Sequence, residues 1–368
     1  MKKVTVLVLS LFMIFLILGF TGSFAQAEEE DLRKVIERLE TQIKENQQKL
    51  EDLKRRMSEQ EKVKEEVKAV VEVPKKADDT GLFFDAKVLL LTPRGNDIDV
   101  AISDSNTNNW PEGSARGIEF DTFSTVSGKY TLGYQFENNS RLSSSYWRFD
   151  ADEDFSITKP SGGTLWALLN SPDAGFEKAD SASAHLDYEL DVIDLEYTRP
   201  LFQSGKLTTS GLIGLRYARI DQDLSATYKE GPNTDRVTSD IETNMFGPKV
   251  GVMGKRSFFN DKFYFQVDGA ISLLVGHTDA KYKDIYNIIT LKDTSSEYES
   301  VFPVYELDIG LGWTPIPDLE FRLGYLISYW TDVLTQKNFV DDVHDAKAVD
   351  EGDSVTFDGI VFSVKYVF

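Results

Sequence analysis

The chain has 368 residues, a formal net charge of −21 and no cysteine. Its acidity sets it against nucleic acid, whose phosphates such a surface repels. Without cysteine there is no lipid-anchored lipoprotein, disulfide framework, thiolate nucleophile or thiolate-bound zinc. Neither a glycine-rich phosphate loop nor a G-x-S-x-G turn occurs, so no cofactor is expected.

The opening stretch, MKKVTVLVLSLFMIFLILGFTGSFAQAEEE, has the three parts of a secretory signal peptide. Lys2 and Lys3 form the positive n-region, Val4 to Phe20 the apolar h-region, and Ala25-Gln26-Ala27 the cleavage box. Residues 1–27 are therefore expected to be removed after Ala27, a retained anchor being the competing reading. No later apolar run reaches the roughly 18 residues of a spanning helix. The mature chain could enter a membrane only as a closed barrel, because lipid leaves no other way to satisfy a backbone.

Residues 28–72 carry a heptad. Leu32, Ile36, Leu39, Ile43, Leu50, Leu53, Met57 and Val67, with Asn46, Gln60, Lys64 and Val71 completing the series, recur at alternating steps of four and three, and no glycine or proline lies between them. At about 1.5 Å per residue the predicted helix is near 65 Å long. A stripe so narrow buries itself only against a partner, so a periplasmic coiled coil is expected. Asn46 and Lys64 at core positions would fix its register. It would make the protein a homo-oligomer, with a trimer suiting a membrane barrel, or tether it to the cell wall. A solitary charged helix is the alternative. Residues 73–81, with Pro74, two lysines, two aspartates and Gly81, form a linker.

From residue 82 the period is two. Four tight reversals, around Asn139, Ser204, Asn260 and Pro317, alternate with five polar stretches near 92–117, 155–182, 224–240, 278–297 and 332–354. Together they predict ten antiparallel strands, with twelve the alternative, and both barrel ends on the short-turn side. The expected strands are roughly 82–91, 118–137, 140–154, 183–201, 206–223, 241–258, 262–277, 298–315, 318–331 and 355–368. An even strand number with short turns at one end and longer loops at the other is the pattern of outer-membrane barrels. Most strands exceed the 9–11 residues that cross a bilayer, so some should project beyond it. The fold class is thus an all-β, antiparallel transmembrane barrel over residues 82–368, preceded by the coiled coil.

Alternation assigns the faces. Tyr305, Leu307, Ile309, Leu311 and Trp313 point one way, and Glu306, Asp308, Gly310 and Gly312 the other. A soluble sandwich could show the same alternation, but nearly every strand carries a wide apolar face with aromatics near its ends, as membrane girdles require. Projected onto the lumen are Asp194, Glu196, Arg216, Lys249, Asp268, Glu306, Asp308, Glu320, Arg322 and Lys365. Either Arg216 and Arg322 pair with the carboxylates and plug the barrel, or the carboxylates line a narrow wet path favouring cations. In the fourth strand the apolar phase changes between Val192 and Ile193. A β-bulge near Val192 would keep Asp194 and Glu196 inward.

His185 beside Asp187, and His277 beside Asp279, sit near outer strand ends, where ten-stranded outer-membrane proteases keep an Asp–His pair. Rim histidines next to common aspartates are the simpler reading. With only His344 besides, no histidine-rich metal site is expected, and no enzymatic role. The acidic stretches 150–154 and 341–353 could take Ca²⁺ or Mg²⁺ but lack EF-hand spacing, so solvated loops are expected.

The segments 192–201 (VIDLEYTRPL), 210–224 (SGLIGLRYARIDQDL), 246–259 (FGPKVGVMGKRSFF), 270–280 (AISLLVGHTDA), 322–330 (RLGYLISYW) and 359–368 (GIVFSVKYVF) resemble the Legionella-type major outer membrane protein family. Order and spacing both fit over about residues 82–368. The resemblance implies a pore-forming barrel in the bacterial outer membrane, passing small hydrophilic solutes or ions, with a surface role. The final Tyr366 and Phe368 resemble the signal read by outer-membrane assembly machinery. The partners so implied are outer-membrane lipid and that machinery.

Overall fold

The computed structural model describes residues 80–368 apart from 96, 108–110, 121–124, 173–176 and 346–351. The signal segment, the heptad stretch from Leu32 to Val67 and most of the linker lie outside the described residues.

Ten strands close into one antiparallel barrel. In chain order they are β1 (Gly81–Arg94), β4 (Thr125–Gln135), β5 (Arg141–Thr158), β8 (Ser181–Ser204), β9 (Leu207–Glu230), β10 (Asn233–Phe258), β11 (Phe263–Tyr286), β12 (Ile289–Ile316), β13 (Leu319–Val333) and β14 (Asp353–Val367). Between them four short strands, β2 (Ile98–Asp104), β3 (Ser114–Ile118), β6 (Thr164–Ala167) and β7 (Lys178–Ala179), form a separate sheet in the order β3-β2-β6-β7. Among the described residues one helix, α1 (Gln336–Asp345), precedes β14.

Closure is made by β1 against β14. Phe83 faces Val367 across the seam, and the Phe368 amide donates to the Leu82 carbonyl at 2.8 Å. Both ends of the barrel therefore lie beside the tight turns. Three of those turns need left-handed backbone: Asn139 has φ 59°, Gly205 φ 56°, and Asn260 φ 57° between two residues of like sign. The fourth runs through Pro317 between β12 and β13.

At the opposite end two of the expected loops do not exist as loops. Residues 224–240 and 278–297 continue the ladders, turning only at Gly231 and around Asn287. β8 to β12 consequently run for 24, 24, 26, 24 and 28 residues. A bilayer requires about 9–11, so more than half of each stands clear of it. The remaining polar stretches are also built: 92–117 and 155–182 supply the small sheet, and 332–354 supplies α1.

Along every long strand the outer face changes character at the same height. On β11 it reads Phe263, Phe265, Val267, Ile271, Leu273 and Val275, all largely exposed except the half-buried Val267, and then His277, Asp279, Lys281 and Lys283. On β9 it passes from Ile213, Leu215 and Tyr217 to Arg219, Asp221 and Asp223. The apolar part is the lipid belt, and the charged part is a wall in water.

The inner face changes at the same height in the opposite sense. Below the boundary β8 turns Asp194 and Glu196 inward; above it, Leu186, Tyr188, Leu190 and Val192. Its pairing with β5 runs unbroken from Thr198 to Ser181, and with β9 the register shifts only between Pro200 and Phe202. No bulge occurs near Val192, contrary to expectation. The phase change is a change of surroundings: one set of side chains faces inward throughout, charged beside the belt and apolar above it.

Candidate functional site: the interior of the barrel

The lower interior holds charge in three tiers. At the turn end Lys255 Nζ lies 3.1 Å from Glu320 Oε2, and the Tyr264 hydroxyl also donates to Glu320. Beside them Lys365 Nζ sits 4.7 Å from the centre of the Phe83 ring, with Asp85 opposite in register. Gly312 makes room for this tier, since a Cβ there would fall 1.9 Å from Tyr264 Cζ.

In the middle tier Arg322 grips Asp308 with both terminal nitrogens, at 2.7 and 2.8 Å. Lys87 Nζ lies 3.7 Å from the same carboxylate. Asp268, opposite Asp308 on the next strand, accepts from Gln266 Nε2 at 2.6 Å.

The upper tier is the tightest. Arg216 Nε and Nη2 donate to the two Asp194 oxygens at 2.7 and 2.8 Å, and Nη2 also reaches Glu306 at 2.8 Å. Lys249 Nζ joins Asp194, Glu196 and Glu306 at 2.9, 2.8 and 2.9 Å, and Lys129 approaches Asp194 at 3.7 Å. Arg216 and Asp194 are wholly shielded from solvent. Charges so enclosed persist only because each has partners of opposite sign in good geometry.

All ten charged residues projected inward from the sequence lie on this inner face. Their partners Lys87, Lys129, Lys255 and Tyr264 were missed. The signal for them was present: Lys87 and Lys129 occupy inward positions directly opposite each other on β1 and β4, and Lys255 and Tyr264 share the inward phase of Lys249 and Gln266.

Immediately above the charges the lumen is filled with apolar side chains. Leu89, Trp147, Phe149, Tyr188, Ile220, Met245, Leu274, Phe302, Trp330 and Phe357 are buried to within 1% and form one continuous cluster. They come from β1, β5 and β8 to β14, while β4 supplies Ser127, whose hydroxyl accepts from Trp147 Nε1 at 2.7 Å. Phe357 is the hub, with ring centres 5.1 Å from Phe149 and 5.9 Å from both Trp147 and Tyr188. Arg216 lies 5.9 Å from the centre of the Trp330 ring, which joins the apolar layer to the upper tier.

Further out, two pieces of chain close the mouth. α1 packs Phe339, Val340 and Val343 inward, and Gln336 Nε2 donates to the carbonyls of Gln222 and Ser239 at 2.6 and 2.9 Å. The segment 168–171, between β6 and β7, enters from the other side. The Leu169 amide donates to the Tyr228 hydroxyl at 3.2 Å, and the Tyr282 hydroxyl donates to the Leu169 carbonyl at 2.7 Å.

The histidine pairs face outward. His185 contacts Asp154 at 2.9 Å and Asp187 at 3.2 Å, and His277 contacts Asp279 at 3.2 Å, all on the exposed outer wall. Asp279 and Glu297 stand opposite each other beside His277. Asp150, Asp152 and Asp154 belong to β5 rather than to a loop.

A closed ten-stranded barrel with a lipid belt and a terminal strand sealed to the first is accompanied by a family match. Residues 73–368 fit the model described as Legionella pneumophila major outer membrane protein precursor. The chain belongs to this family. It is accordingly a protein of the Gram-negative outer membrane. No functionally curated protein matches it.

Among solved structures it is similar to the outer membrane protease OmpT from Escherichia coli, at 11% identity over 81% of this chain and 99% of that one, with a TM-score of 0.47. It is also similar to the Pseudomonas putida toluene transporter TodX, at 10% identity over 78% and 90% of the two chains, with a TM-score of 0.29. A Pseudomonas aeruginosa FadL homologue matches at 9% identity over 79% and 91%, with a TM-score of 0.24. Nothing of those proteins' activities carries over to this chain at such distances.

Proposed function

We propose that this family member is a sealed outer-membrane barrel, structural rather than porin-like, which presents a rigid acidic outer wall and anchors the envelope. One observation carries the reading: β1, β5 and β8 to β14 all contribute side chains to the apolar layer around Phe357, and solvent reaches hardly any of them. Ions do not cross such a layer, because stripping their hydration costs several kcal/mol each. Ten strands enclose a space that side chains can fill, unlike the 16–18 strands of open porins.

The small-solute channel suggested by the family resemblance is the competing function. Its cation preference loses support, since the inward carboxylates that would favour cations are engaged by Arg216, Lys249, Arg322, Lys87 and Lys255. Purified mature protein in planar bilayers is expected to show no stepwise conductance in 1 M KCl. Reproducible single-channel steps would return the function to a channel.

The reading is non-enzymatic: His185 and His277 are outside on the wall, and His344 packs against Tyr282 in the plug. The partners are outer-membrane lipid along the belt, the assembly machinery at Tyr366 and Phe368, and copies of the same chain through residues 28–72. Chemical cross-linking should therefore give one discrete oligomer, reduced to monomer when residues 28–72 are removed. An unchanged ladder would leave residues 28–72 as a tether to the cell wall.

A further inference from the structure

Near the outer end of the barrel two carboxylates are enclosed with no cation paired to them among the described residues. Asp235 on β10 and Asp284 on β11 are both fully buried. Asp235 stands opposite Tyr286 and Asp284 opposite Val237, so the acids are diagonal neighbours on the inward face. Each gives one oxygen to the inserted segment. Asn170 Nδ2 donates to Asp235 Oδ2 at 3.1 Å, and the Ser171 amide donates to Asp284 Oδ2 at 2.7 Å. The other oxygens, both Oδ1, are buried and receive no donor among the described residues.

Two carboxylates on neighbouring inward positions, both shut away from water, resist being ionised together. One proton between them removes a charge and supplies the missing donor, leaving both outer oxygens free to hold Asn170 and Ser171.

We propose that Asp235 and Asp284 share a single proton that latches the 168–171 segment into the outer mouth of the barrel, making its docking responsive to pH. The inference is independent of whether the barrel conducts. Burial, followed by the adjoining Asp284 carboxyl, pushes the Asp235 pKa up to about 7. Undocking exposes Asp235 to water and returns it to the ordinary carboxylate range near 4. The docked form thus holds the proton more tightly. Its advantage is complete below about pH 4 and is lost, about tenfold per pH unit, as pH rises to about 7.

Other groups face the pair. Tyr228 of β9 and Tyr282 of β11 flank it, and His344 and Asp341 of α1 and Lys292 of β12 lie beyond. Burial holds the His344 pKa below its ordinary value, so His344 is the group to separate from the pair.

Hydrogen–deuterium exchange of the full mature chain in detergent micelles, corrected for intrinsic rates from pH 4 to 9, tests the latch. Protection of residues 168–171 should fall by about two to three orders of magnitude between pH 4 and 7 and level off above. D235N replaces the shared proton with an amide hydrogen and should remove most of that slope, while H344Q should keep it. Heat-modifiable migration reports whether each variant is folded, and D284N serves if D235N is not. Flat protection in the wild type, or a D235N profile that tracks it, overturns the proposal. Restoration of protection at pH 9 by Ca²⁺ alone would overturn it in favour of a cation site.

Discussion

Arg216→Met should lower the unfolding free energy of the barrel by about 3–5 kcal/mol, the usual cost of removing one member of a buried ion network. The size follows from what remains. Asp194 would keep Lys249 and the more distant Lys129, and Glu306 would keep Lys249, but three carboxylates would face two lysines with little water to screen them. Urea unfolding of the protein refolded into lipid vesicles, followed by gel mobility, gives the shift. The double variant R216M/E306Q restores two cations against two carboxylates and should recover a large part of the loss. If R216M were nearly neutral, the upper tier would not be a closed network and the enclosed charges would be hydrated.

Phe357→Ala should cost a similar amount, about 3–5 kcal/mol, for a different reason. Its ring contacts Trp147, Phe149 and Tyr188 at the centre of the apolar layer, and these rigid rings cannot reshape themselves to fill the space. The loss is one of transfer energy and packing, so it should be insensitive to salt, unlike an exposed ion pair. The variant should nevertheless stay silent in planar bilayers. α1 and the 168–171 segment still fill the mouth above the cavity, with Gln336 and Leu169 bonded across the barrel. A single truncation that produced conductance would show that the apolar layer alone is the seal.

Strand number, turn positions and the inward charges were legible because alternation against lipid leaves a strong period-two signal. Asn139, Gly205 and Asn260 mark their turns through backbone that few other residues adopt readily. The upper half was harder to read. Residues 224–240 look like a loop because their outward positions, such as Ser225, Thr227 and Arg236, are polar, while inward Ala226, Tyr228 and Val237 are too few to stand out. The apparent slip at Val192 came from assuming one environment per face along a whole strand. α1 was hidden in an acidic stretch, although Phe339, Val340 and Val343 have the spacing of one helical face. The Asp235–Asp284 pair has no local signature, because two separate hairpins bring it together.

The swap of inner and outer polarity along β8 to β12 has an evolutionary corollary. A saturation scan of each long strand should show greasy replacements tolerated at odd positions of β8 near Leu195 and at even ones near Leu190, the stripes trading places within a single residue step. The heights of these crossovers, aligned around the circumference, act as a waterline. Moving one by two residues would tilt the molecule in its membrane without breaking a single ladder bond.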